Sequence, residues 1–302
     1  MKVALVCPNF PPEFTGGTEL VTASLARALE TRGVEVVVIA GSDAPHVGVD
    51  VERESTGGLD VRRLKRTTDE GYGLSIERPR LQRVFDELCD AESVDVVHVH
   101  HWSTLTDRLV RSARAAGRAA VATLHDVWTT CPRFFRSPPD GIECPSGASR
   151  DSCAHCCALG LAMTDDWCRE HLVLRDAEMR AEVGAAQFLT VPSRTSGNRI
   201  ASHLPWDPAA FEVVPHGLLE PVKGNEREPV PAGEKLRIGT FGNLVEPKGV
   251  MFLVYACRYV PGVELHLFGP FLEPPFEALV KQKAAEFGVE LVCHGEYRVD
   301  EA

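Results

Sequence analysis

The chain has 302 residues, 44% apolar and 25% charged, an ordinary globular make-up with length for one or two domains. A formal net charge of −11 excludes the basic footprint that nonspecific nucleic-acid binding requires, so no nucleic-acid partner is expected. No stretch approaches the roughly 20 apolar residues of a membrane span, and the opening apolar run is too short for a signal peptide, with Pro8, Pro11, Pro12 and Glu13 following at once, so a cytoplasmic protein with mostly reduced thiols is expected.

In chain order, Lys2–Cys7 reads as a buried first strand, 18–32 as a helix, 34–40 as a strand, 61–64 as a weak strand and 79–90 as a helix. Residues 94–100 and 119–124 read as strands with a helix at 106–116 between them, and 187–192 and 211–215 as two further strands. Continuous Val/Ile/Leu runs separated by helices point to a parallel sheet covered on both faces. This Rossmann-like α/β domain is expected to span 1–218. Pro221, Gly224, Pro229, Pro231 and Gly233 among charges mark 219–235 as a linker. A second alternating series follows: strands at 236–241, 264–268 and 290–294, helices at 249–259 and 275–287. Three strands with two helices make half of a doubly wound domain over 236–302.

Two strand-to-helix turns carry glycines. In the first, Gly16 and Gly17 precede a helix whose free N–H groups and missing Cβ atoms suit a phosphate or a sugar. The bland alternative is a glycine turn serving only as helix entry. In the second, Gly242, Asn243, Lys248 and Gly249 lie between a strand and a helix, where a diphosphate can approach the backbone and Lys248 can supply a cation. Here the alternative is a solvated lysine. Both turns sit at the carboxyl edge of a parallel sheet, where such sheets bind ligands, and two facing domains would place a cleft between them.

These stretches resemble glycosyltransferase family 4, of GT-B fold. The residues that carry the likeness are Pro11-Pro12, Gly16-Gly17 and Glu19, then Leu25-Ala26 and Leu29, and Asp95 to His100. They continue with Thr123-Leu124-His125-Asp126, Val191-Pro192-Ser193, Val214-Pro215-His216-Gly217, and Gly242, Leu244, Lys248 and Gly249. The resemblance implies retaining transfer of a sugar from a nucleotide-sugar donor to a saccharide or lipid-linked acceptor, with no catalytic metal and with peripheral membrane contact open. It also implies that the N-terminal domain holds the acceptor and the C-terminal domain most of the nucleotide. Lys248 matches the lysine on the donor diphosphate, while Asn243 stands where a basic residue is common. His125 matches the histidine that contacts the donor sugar near the reacting carbon, and Gly16 and Gly17 match the glycine loop over the diphosphate. His98, His100 and His101 read more readily as satisfied histidines at a strand end.

Six of the ten cysteines fall between Cys131 and Cys168, inside an insertion at 127–168 rich in turn formers. Such a loop is not expected to bury an apolar core of its own. Cys131, Cys144, Cys153 and Cys156 have the spacing of a closed four-thiolate zinc site, with His155, Cys157 and Cys168 in reserve. An iron–sulfur cluster and free thiols stay open. A subset of family 4 is similar in this region.

The family's pair of glutamates, eight residues apart in the C-terminal domain, has no counterpart before Ala302. The sequence therefore reads as truncated and inactive as it stands, or completed by another chain. The rival readings are a noncatalytic carbohydrate- or nucleotide-binding module and a Rossmann-type oxidoreductase. The latter is disfavoured because neither glycine turn is Gly-x-Gly-x-x-Gly.

Overall fold

The strand Lys2–Cys7 (β1) is buried from Val3 to Cys7, because it lies at the centre of an eight-stranded sheet covered on both faces. The computed structural model describes residues 1–67, 74, 77–133, 136, 138, 144, 149–161, 163–203, 207–217, 231 and 233–296, in two compact units, Met1–Val222 and Lys223–Ala302.

In the first unit, α1 (Gly17–Glu30) leads from β1 to β2 (Glu35–Gly41), followed by β3 (Val49–Thr56), β4 (Leu59–Arg66) and α2 (Pro79–Ala91). Then come β5 (Val96–Val99), α3 (Leu109–Ala115), β6 (Ala119–Thr123), α4 (Arg150–Leu161), α5 (Asp165–Gly184), β7 (Phe188–Val191), α6 (Arg194–Ala201) and β8 (Phe211–Val213). The sheet order is β3-β4-β2-β1-β5-β6-β7-β8, parallel except for the β3–β4 hairpin. Gly57 and Gly58, both at positive φ, make the two-residue turn of that hairpin. Chain order reverses between β1 and β5, so the loops after these two strands flank the topological switch point, where open α/β sheets take ligands.

Alternate residues of β1 serve opposite cores. Val3, Leu5 and Cys7 pack with Ala23 and Ala26 of α1, while Ala4 and Val6 pack with Leu81 and Phe85 of α2 and Leu109 and Val110 of α3.

Helix α6 was not expected from the sequence, and two larger features also differ from that reading. The edge strand β3 is mostly exposed and charged, so it carries no apolar signal, and charges on an edge discourage further strand pairing. Residues 150–161 and 165–184, expected partly as a cysteine-rich loop without a core, form α4 and α5. Ala154, Cys157 and Ala158 of α4 pack on Cys168 and Leu172 of α5. Cys157 and Cys168 are thus core side chains, as free cysteines often are. Thr164 caps α5 by accepting from the Trp167 N–H at 3.2 Å.

The second unit holds β9 (Leu236–Phe241), α7 (Val250–Cys257), β10 (Val263–Phe268), α8 (Pro274–Glu286) and β11 (Glu290–Gly295), with a parallel sheet of order β11-β10-β9. Val250 and Val254 of α7 and Phe276, Val280 and Ala284 of α8 bury Leu265 and Leu267 of β10. Among the described residues no helix is long and apolar enough to cross a membrane.

Candidate active site

The loop after β1 is held by the neighbouring strand. Arg63 of β4, buried, donates from Nη2 to the carbonyls of Phe10 and Pro11 at 3.1 and 3.2 Å. The loop ends at Gly16, the N-cap of α1. Three residues on, Glu19 turns back and accepts from the Gly16 N–H, half of a capping box, and burial raises its pKa. A Cβ at Gly16 would fall 2.6 Å from Glu19 Oε2 and 2.8 Å from Phe14 Cε1, so packing alone requires glycine there. A Cβ at Gly17 would meet nothing within 4 Å. Of the two glycines, Gly17 is therefore the one that leaves open space for a ligand.

Histidines crowd the same carboxyl edge. His100 follows β5, His125 lies two residues past β6, and His216 three residues past β8. His100 Nδ1 lies 2.8 Å from His125 Nε2, and His125 Nδ1 lies 2.9 Å from His216 Nε2. Both ring nitrogens of His125 are therefore engaged. His98, within β5, stacks on His100 at 4.3 Å between centroids and contacts the Thr123 hydroxyl at 2.8 Å, which in turn meets that of Thr190 at 2.7 Å. His100 is buried, His98 and His125 half-buried, His216 exposed.

The segment after His125 is fixed from two sides. Asp126 accepts from the Trp128 N–H at 2.7 Å and lies 3.5 Å from His101 Nε2. Burial works against the Asp126 carboxylate, but the His101 and Trp128 hydrogen bonds outweigh it and its pKa falls. Arg175 of α5 stacks over the Trp128 ring at 4.5 Å and donates to the carbonyls of Trp128 and Thr129 at 2.5 and 3.3 Å. Its full burial pushes its pKa down to about 10.

Burial also keeps His98, His100 and His125 neutral. It holds His98 down to about 4, and together with neighbouring His216 and His101 it holds His125 down to about 3. An unfolded chain takes up protons at these positions below pH 6.5, while the folded chain does not. Stability is therefore full above pH 6.5 and falls as pH drops toward 4, by at most about 1.4 kcal/mol per pH unit per histidine. Glu19, Asp107 and Glu182, raised by burial, act in the opposite sense at the acid end. The histidine share is isolated by difference. Urea unfolding of His125→Asn should lose less stability between pH 7 and pH 5 than the parent, and parallel curves would contradict this assignment.

The four cysteines expected to hold zinc line one cavity of about 520 Å³, together with His155, Cys157, Arg133, Arg136, Arg150 and His203. The zinc expectation finds no support: among the described residues no group of three or more His, Cys, Asp or Glu side chains is arranged to hold a metal ion. Burial raises the Cys144, Cys156 and Cys157 thiols, and Arg150 Nη1 lies 3.5 Å from Cys153 Sγ as a donor. Cys168, one of the reserve ligands, packs in the α4–α5 core. The structure describes ten free cysteines.

In the second unit, Gly242 and Gly249 both adopt positive φ, at 111° and 76°. The turn between them begins with half-buried Asn243, buries Leu244, and places Lys248 in a single 3-10 turn directly before α7. Lys248 is exposed, and no ion pair to it occurs among the described residues. Gly242 is anchored by its N–H to the Phe268 carbonyl at 3.0 Å, and Leu244 by its N–H to the Pro270 carbonyl at 2.9 Å.

Sequence reasoning thus located Gly16, Gly17 and His125 on the sheet edge of the first unit, and Gly242, Asn243, Lys248 and Gly249 on that of the second. It gave no role to His216 and a structural one to His100. The available signal was three histidines just past the ends of β5, β6 and β8.

A sequence model described as Glycosyltransferase Family 4 matches residues 15–218. No curated protein sequence matches the chain. Among solved structures the chain is similar to Anabaena HepE in complex with UDP-glucose, with TM-score 0.57 and 14% identity over 99% of this chain and 70% of that one. It is also similar to an α,α-trehalose-phosphate synthase (UDP-forming) from Burkholderia xenovorans in complex with glucose-6-phosphate, with TM-score 0.60 and 12% identity over 98% and 76%. A third is the catalytic domain of starch synthase IV from Arabidopsis thaliana bound to ADP and acarbose, with TM-score 0.54 and 14% identity over 98% and 74%. At these identities the likeness establishes the GT-B glycosyltransferase fold.

Proposed function

Because the chain belongs to glycosyltransferase family 4, we propose that it transfers a sugar from a nucleotide-sugar donor to a saccharide or lipid-linked acceptor with retention of anomeric configuration. In that reaction the bond from the sugar's anomeric carbon to the diphosphate breaks, the acceptor hydroxyl forms the new bond on the same face, and its proton leaves. Negative charge builds on the departing diphosphate. Catalysis then consists of placing positive groups where that charge develops and of holding both reactants in one attack geometry.

The observation that carries the reading is the turn of the second unit, where two glycines at positive φ leave the backbone open and Lys248, without an ion pair among the described residues, stands at the start of α7. We assign the diphosphate to Gly242, Asn243, Lys248 and Gly249, with Asn243 as a neutral donor. Gly17 is assigned to the donor as well, Gly16 to shaping its loop, and His125 with its histidine partners to the sugar near the reacting carbon.

The test is calorimetry with a panel of UDP-, GDP- and ADP-sugars, followed by transfer assays with saccharide and lipid-linked acceptors. Lys248→Ala should weaken binding of the preferred donor by about 1.5–3 kcal/mol, one to two orders of magnitude in Kd. Unchanged affinity removes Lys248 from the site. Donor binding without turnover of any acceptor would favour the noncatalytic binding module instead.

A further inference from the structure

The three-histidine chain at the carboxyl edge of the first sheet has a direction, and its direction changes which residue meets the ligand. Two nitrogen–nitrogen contacts, at 2.8 and 2.9 Å, each need one hydrogen. A neutral imidazole carries one N–H, so the central ring donates through one nitrogen and accepts through the other. Burial, reinforced by the neighbouring rings, keeps His100 far below its ordinary pKa, and His125 is likewise neutral at physiological pH.

Only two arrangements remain. In one, His216 donates from Nε2 to His125, His125 donates from Nε2 to His100 Nδ1, and the hydrogen of His100 lies on Nε2. His100 is 2% exposed, and its Nε2 has no hydrogen-bond partner among the described residues. That arrangement strands a buried N–H donor, the rarer kind of unsatisfied group in folded proteins. In the other, His100 Nδ1–H donates to His125 Nε2, and His125 Nδ1–H donates to His216 Nε2. The group stranded in the core is then a bare lone pair, and the hydrogen of His216 is on Nδ1, at an exposed residue with no further partner among the described residues.

We propose that His100, His125 and His216 form a one-way hydrogen-bond relay, all three as Nδ1–H tautomers, in which buried His100 is a positioning residue and His216 presents the outward N–H to a ligand oxygen. This rests on the sugar-site reading of His125 only for the identity of the ligand; the relay and its direction stand on the geometry. It revises the role of His125, whose two nitrogens are both consumed. His125 transmits the orientation set in the core, and the hydrogen bond to a sugar hydroxyl or phosphate oxygen falls to His216.

The relay is tested without turnover, by long-range 15N–1H correlation spectra of the full chain labelled at histidine, at pH 7. The expected result is Nδ1–H on all three rings. Finding the hydrogen on Nε2 of His125 or of His216 overturns the proposal. His100→Phe removes the donor at the buried end, and His125 and His216 should then switch to Nε2–H, the direction open once nothing donates from the core. His100→Asn keeps a side-chain N–H at the Nδ1 position and should restore the parent tautomers. A His100→Phe spectrum unchanged at His125 and His216, in protein whose tryptophan fluorescence matches the parent, would show that the core does not set the direction. Failure of the glycosyltransferase reading would leave these spectra unaffected, so the two conclusions fail separately.

Discussion

Replacing Glu182 by alanine is expected to destabilise the first unit by about 3–5 kcal/mol, a large part of the 5–15 kcal/mol that holds a typical domain together. Glu182 lies on α5 and is fully buried. Its carboxylate accepts from Trp102 Nε1 at 2.9 Å and from the backbone N–H groups of Val110 and Arg111 at 2.5 and 3.1 Å, with Arg111 Nε at 3.4 Å. Two of these donors are unsatisfied N–H groups of the first turn of α3, so Glu182 caps one helix from another. Alanine would leave the indole N–H and both amides without acceptors in the core, and each buried orphan costs about 1–3 kcal/mol. Glu182→Gln keeps the volume and one carbonyl acceptor and should cost clearly less. Urea unfolding followed by tryptophan fluorescence and circular dichroism measures both. A loss under about 1 kcal/mol for alanine would mean that water or a side-chain shift satisfies the donors. All four tryptophans precede residue 223, so the fluorescence reports this unit alone.

The same helix shows where the sequence was and was not legible. Strands β1 and β2 were plain because strands in a parallel sheet are apolar almost without interruption, and both glycine turns followed from the strand–turn–helix order. Helices α4 and α5 were hidden by their cysteines. Cysteine spacing suggests ligands, but Cys157 and Cys168 are spent on apolar packing between the two helices, a choice that only tertiary contacts reveal. α5 was obscured further by its buried charges, Arg175 and Glu182, which look like surface residues until their partners on the Trp128 segment and on α3 are known. The histidine relay was legible only in part. His125 stood out by resemblance, whereas His216 lies 91 residues further along and meets it only because β6, β7 and β8 are adjacent in the sheet. Strand order is information that no local pattern contains.

Gly269→Ala is expected to disrupt the second unit while leaving the first intact. Gly269 follows β10 directly and adopts φ of 132°, a conformation that side-chain-bearing residues rarely take. A Cβ there would fall 2.0 Å from the carbonyl oxygen of Gly242 and 2.8 Å from its carbonyl carbon. The obstacle is backbone on both sides, with no flexible side chain to move aside. The backbone conformation alone costs on the order of 1–3 kcal/mol, and relieving the clash means shifting the Gly242 turn away from β10. That turn is tied to the end of β10 by the Gly242 N–H to the Phe268 carbonyl, and Gly269 is tied to β11 by its own N–H to the Gly295 carbonyl at 2.7 Å. The substitution therefore strains all three strand ends at once, where we place the diphosphate. Hydrogen exchange should show lost amide protection across β9, β10 and β11, and nucleotide-sugar affinity should fall at least as far as with Lys248→Ala. Tryptophan fluorescence and urea unfolding of the first unit should not change. If exchange in the three strands stays at the parent level, the close approach of Gly269 to Gly242 is not what holds the turn, and its shape must come from the Leu244 and Phe271 pairing instead.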